Sequence, residues 1–178
     1  MTETGPGAAG DYGGKVFGLF IDAQLTEERS RKNSLEQRGT GIITSAGTLA
    51  TLLFGLAAFS RSPTASFQLT PVDEVALITA LALLLLAAIL GLATNRIMNY
   101  GEPELDYLDG LTRDDDDHWR FADTIEAARL VAEAEVAQLR VARRNNDLKA
   151  KAFLVALWAE LLAILALTAA VLLPIFHI

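Results

Sequence analysis

KAKAFLVALWAELLAILALTAAVLLPIFHI, residues Lys149–Ile178, decides the fold. Beyond Lys151 its only charged residue is Glu160. As helix, Ala152–Ile178 extends about 40 Å, more than the hydrocarbon core of about 30 Å. A helix flanking a soluble core would show a polar residue every three or four positions, and this run does not. Two further runs, Gly41–Phe59 and Val75–Thr94, contain no charged residue at all. Three runs of this length predict an all-α integral membrane protein with three transmembrane helices.

Composition alone would not settle the class, since a soluble domain could also be 52% hydrophobic. The distribution of those residues does. The net charge of −7 argues against a nucleic-acid partner. With no cysteine there are no disulfides and no thiolate ligands. No cleavable signal is evident, because the first apolar span begins near Gly41, behind a polar and charged stretch.

Outward from the spans, residues 1–14 are rich in glycine and small polar side chains and read as a disordered leader. Residues 15–40 read as a helix leading to the first span at 41–60. In it, Glu27–Arg31 and Glu28–Lys32 have the spacing of an exposed helix face, and Gly39 and Gly41 are expected to loosen it near the span. Residues 61–74 carry two prolines and read as a short loop between antiparallel spans, with the second span at 75–95. Residues 96–117, with the run Asp114–Asp117, read as irregular. Residues 118–151, free of proline and glycine, read as a long helix running into the third span at 152–176. Its weakest point is Asn145–Asn146, a place for a bend. Its stripe Leu130, Ala134, Ala137 and Val141 reads as a packing face, and no heptad persists long enough to assign.

Arg29, Arg31, Lys32 and Arg38 precede the first span, and Arg143, Arg144, Lys149 and Lys151 precede the third, while only Arg61 lies between the first two. The positive-inside bias then puts the N-terminus and residues 96–151 in the cytoplasm and the C-terminus outside. The first and last helices extend into a cytoplasmic helical bundle on this reading.

Little in the chain points to an enzyme. His118 and His177 fall on opposite sides of the membrane by this topology, and no glycine-rich phosphate loop is present. The aspartate run before His118 matches no calcium-loop spacing and reads as solvated helix-capping charge, so no metal or cofactor is expected. In the first span Thr44, Thr48 and Thr51 share a helix face, overlapped by the small-residue ladder Gly47, Thr51, Gly55. Such a face is either a helix-packing seam or, in an assembly of several subunits, a hydroxyl-lined conduction path.

Glu160 has two placements. Trp158 is a residue type that settles at headgroup level. If it marks the inner interface, the span is Leu161–Phe176 and Glu160 lies at its mouth, which accounts for the tryptophan and the excess length together. If the bilayer begins at Lys151 instead, Glu160 lies close to the midplane, facing other helices or a water-filled cavity.

The stretch LTEERSRKNSLEQRGTGIITSAGTLATLLFGLAAF, a charged helix entering a Gly/Thr-rich span, resembles the small bacterial defence effectors of the Pycsar transmembrane and SLATT type. RVARRNNDLKAKAFLVALWAELLAILAL, a basic helix running straight into a last span, is similar as well. The resemblance covers Leu25 to Leu173 and rests on pattern, with no catalytic signature. It implies an oligomeric, non-catalytic effector in the bacterial inner membrane, silent until a cyclic nucleotide triggers it, which then disrupts that membrane against phage. This chain shows no separate nucleotide-binding domain, so a nucleotide would need a pocket built from its own helices. Arg140, Arg143 and Arg144 are then candidate phosphate contacts, and otherwise ordinary flanking charge. The alternative function is a structural membrane subunit that anchors a soluble partner through residues 123–146. A transporter using Glu160 fits three spans poorly.

Overall fold

The computed structural model describes residues 6–60, 70–98, 100 and 124–176. They form three helices, α1 (Pro6–Ser60), α2 (Pro71–Thr94) and α3 (Thr124–Phe176). Pro6 and Pro71 stand in first turns, where the N–H that proline lacks would have no partner within the helix. Each helix contains a stretch long and apolar enough to cross a membrane: Gly14–Ser60, Pro71–Thr94 and Thr124–Leu172.

The chain divides into two compact units. The first is Met1–Lys32 with Met98–Asp147, the second Asn33–Ile97 with Leu148–Ile178. α1 and α3 each contribute to both, and α2 belongs wholly to the second.

The second unit is held by two apolar clusters. Ile42, Ala87, Ala156 and Ala159 form one. Ala46, Leu53, Leu77, Ala80, Leu84, Ala163 and Ala170 form the other. Residue numbers rise from the first cluster to the second on α1 and α3 and fall on α2, so α2 runs antiparallel to the other two. The contact positions have a shared rhythm. On α2, Asp73, Leu77, Ala80, Leu84, Ala87, Gly91 and Thr94 are buried, at alternating steps of four and three. On α1, Leu35, Gly39, Ile42, Ala46, Leu53 are buried in the same rhythm, with Leu49 half-buried between the last two. On α3, Lys149, Ala156, Glu160 and Ala163 follow it, with Phe153 half-buried in step. This is the 3.5-residue repeat of helices packed knobs-into-holes. The expectation that no heptad persists is therefore corrected. Polar and small residues occupy many seam positions, so hydrophobicity does not display the repeat.

Where α1 crosses α2, backbone meets backbone. A Cβ on Gly39 would overlap Thr94 Oγ1 and stand 3.0 Å from the Gly91 carbonyl oxygen; a Cβ on Gly91 would stand 3.0 Å from the Gly39 carbonyl oxygen. Thr94 Oγ1 turns inward to donate to Gly91 O at 2.7 Å. Gly39 thus sets a close approach, and α1 runs through Gly39 and Gly41 unbroken, contrary to the expected loosening.

Other boundaries also shift. α2 begins at Pro71, inside the stretch assigned to the loop, because TPVD is a capping box with proline in the first turn. Thr70 N donates to Asp73 Oδ2 at 2.9 Å, and Asp73 N to Thr70 Oγ1 at 3.4 Å. α1 begins at Pro6, so helix occupies part of the stretch read as a disordered leader. α3 passes straight through Asn145–Asn146. Residues 61–69 of the loop, the acidic run Asp114–Asp117, His118, residues 119–123 and His177 lie outside the described residues.

Candidate functional site

Thr44, Gly47, Thr48, Thr51 and Gly55 are all exposed on α1, while Ile42, Ala46 and Leu53 on the opposite face fill the seam. At about 100° per residue the five positions form one narrow stripe pointing away from the core of the second unit. Nothing stands within 4 Å of a Cβ built on Gly47 or Gly55. The stripe is also polar-neutralised from within. Thr44 Oγ1 donates to Thr40 O at 3.1 Å, Thr48 Oγ1 to Thr44 O at 2.9 Å, and Thr51 Oγ1 to Gly47 O at 2.9 Å. With their hydroxyl protons committed, these threonines present methyl groups and oxygen lone pairs, Thr48 and Thr51 between the gaps at Gly47 and Gly55. The seam inside the chain uses none of these residues, so this face has room for a further helix.

Glu160 lies elsewhere. It is 9% exposed, whereas Trp158 is 58% exposed. It sits on the packed face of α3 between Ala159 of one cluster and Ala163 of the other. Among the described residues no hydrogen bond or ion pair reaches its carboxylate.

Several other buried polar groups of the second unit are paired, while the buried Asn95 Oδ1 has no hydrogen-bond partner among the described residues. Lys149 Nζ, wholly buried, donates to Glu36 Oε1 at 2.6 Å. Asn95 Nδ2 donates to Thr40 Oγ1 at 3.0 Å, and Thr40 Oγ1 donates to Glu36 O at 3.1 Å.

The first unit is organised around Asn146, which has no exposed surface. Its Nδ2 donates to Glu28 O at 2.9 Å and to Glu28 Oε2 at 2.8 Å. Tyr100 Oη donates to Asn146 Oδ1 at 3.3 Å, and Lys32 Nζ stands 4.4 Å from the Tyr100 ring centroid. Arg143 Nε pairs with Glu28 Oε1 at 3.5 Å, while its terminal amino group donates to Gln24 Oε1 at 2.8 Å. Arg31 pairs with Asp147 at 2.9 Å and with Glu28 at 3.7 Å. The expected exposed face of Glu28 and Lys32 is corrected: Glu28 is buried as the hub of this network.

The three candidate arginines do not converge. Arg143 is engaged with Gln24 and Glu28, and Arg144 is exposed. Arg140 lines an open groove of about 360 Å³ with Ile21, Arg129, Ala132, Glu133, Val136 and Ala137. Arg129 Nε holds Glu133 Oε1 along the same helix at 2.9 Å. The stripe Leu130, Ala134, Ala137, Val141 is largely exposed, and the buried positions of this part of α3 are Ala142 and Asn146 instead. Among the described residues no three histidine, aspartate or glutamate side chains gather as metal ligands would.

Sequence reading missed Glu28, Asn146, Lys149, Gly39 and Gly91. The available signal was spacing: Leu25, Glu28, Lys32, Leu35 and Gly39 step by three and four. No family model, curated protein or solved structure matches the chain.

Proposed function

We propose that the protein is an oligomeric, non-catalytic effector of the bacterial inner membrane that breaches it when triggered. On this reading the second unit spans the bilayer and the first lies in the cytoplasm. The observation that carries it is the Gly47–Thr51–Gly55 stripe, exposed and open on the side of α1 that the chain's own helices leave bare. Small residues let helices approach closely, and in lipid, where apolar burial drives no association, such close packing is what holds helices together. Repeated around an assembly, the stripe would bring Thr44, Thr48 and Thr51 together as a hydroxyl-bearing face. The resemblance to Pycsar transmembrane and SLATT-type effectors supports the same reading. A nucleotide trigger would take the Arg129–Arg140 groove of the first unit, where Arg140 stands beside the Arg129–Glu133 pair and apolar side chains that could meet a base.

The test is inducible expression in a bacterial host with a membrane-potential dye, with and without a co-expressed nucleotide cyclase. Cyclase-dependent depolarisation that Gly47→Leu abolishes, with the variant still in the membrane, is the expected outcome. An unchanged potential throughout would overturn the reading.

The second reading, a membrane anchor for a soluble partner, draws on the first unit's exposed apolar side chains, Val16, Phe17, Leu19, Phe20 and Val131 among them. A stoichiometric soluble partner co-purifying with a membrane-inert protein would favour it.

A further inference from the structure

We propose that Glu160 is an intramembrane binding site for a monovalent cation, either a proton or an alkali-metal ion. The inference rests on the membrane placement of the second unit given above, and adds a ligand that the pore reading does not require.

The seam position is the first observation. Glu160 continues the rhythm of Lys149, Phe153 and Ala156 and is followed by Ala163, so the fold directs it at the other helices and not at lipid. Its level is the second. On α3 it falls between the cluster containing Ala87 of α2 and the one containing Leu84. That level lies seven to ten residues in from Thr94, the end of α2, or about 10–15 Å along the helix. In a hydrocarbon core of about 30 Å this is the middle, the deeper of the two placements open from sequence.

The third observation is the charge around it. α1 from Gly39 to Ser60 and α2 from Val75 to Thr94 contain no titratable side chain, and α3 contains none between Glu160 and Phe176. Lys151 and Lys149 precede it on α3, the latter holding Glu36. A seam-facing carboxylate with no counter-charge is expensive within a bilayer, and such residues mark ion pathways. Among the described residues every other buried ionisable side chain of this unit has a partner, Lys149 with Glu36 and Asp73 with Thr70. Along the seam of its own helix Glu160 is flanked by the buried alanines Ala156, Ala159 and Ala163, none of which can supply a counter-charge.

The test uses the full chain reconstituted in phosphatidylcholine vesicles, recovered by flotation and treated with dicyclohexylcarbodiimide. The carboxyl proton passes to a carbodiimide nitrogen and the carboxylate oxygen adds to the central carbon. An oxygen-to-nitrogen acyl shift then gives a stable N-acylurea with no leaving group. Peptide mapping by mass spectrometry should find the adduct on Glu160, and Glu160→Gln should lose it while still floating with the vesicles. Loss of labelling when sodium chloride replaces choline chloride at constant pH identifies an alkali-metal ion. Loss only on raising the pH identifies a proton. Floated protein whose Glu160 stays unlabelled, or labels equally with a water-soluble carbodiimide, overturns the site and leaves the effector reading standing. Protein that fails to float overturns the membrane placement and the site with it.

Discussion

Asn146 supplies both amide hydrogens to Glu28, one to its backbone carbonyl and one to its carboxylate. A buried acceptor left without its donor costs about 1–3 kcal/mol. Asn146→Ala should therefore lower stability by about that much, read by thermal unfolding in detergent micelles. Asn146→Asp, nearly identical in shape, should be worse than alanine, because it sets a carboxylate against Glu28 Oε2. If the two variants were equal, Glu28 would not be the partner that matters. This residue was invisible from sequence for a physical reason. Asparagine is a poor helix former, so paired asparagines inside a helix suggest a bend until a partner on another helix is known to satisfy one of them. Glu160 was ambiguous for a different reason: its apolar run is longer as helix than the hydrocarbon core is thick, so sequence does not fix where the bilayer begins and how deep the glutamate lies.

At the scale of the elements, the three long apolar helices were legible directly, since length and lack of charge identify a spanning run without reference to any partner. The seams between them were not, because glycine, alanine, threonine and even lysine stand where a soluble coiled coil would carry leucine. The glycines separate by role. Gly39→Ala drives a methyl into Thr94 and the Gly91 carbonyl, and overpacking of this kind costs about 1–3 kcal/mol. Gly41 has nothing within 4 Å of a Cβ, so Gly41→Ala should raise stability by about 0.5–1 kcal/mol through helix propensity alone. Opposite signs at two positions two residues apart, measured by the same unfolding assay, are the expected result. A Gly39→Ala variant as stable as the parent, or more stable, would mean that the crossing of α1 and α2 does not depend on Gly39.

For the whole molecule, the account depends on the stripe that the single chain does not use. Sequence could find Thr44, Gly47, Thr48, Thr51 and Gly55 on one face, but not whether α2 or α3 covered it. The structure shows it uncovered. The chain has no cysteine, so a single introduced thiol reports contact between copies without background. The most direct measurement is oxidative cross-linking in native membranes of Thr48→Cys, on the stripe, beside Leu85→Cys, an exposed position on α2. The account predicts that Thr48→Cys forms a disulfide-linked dimer and that Leu85→Cys does not. A monomeric Thr48→Cys, or equal cross-linking at both positions, would contradict it.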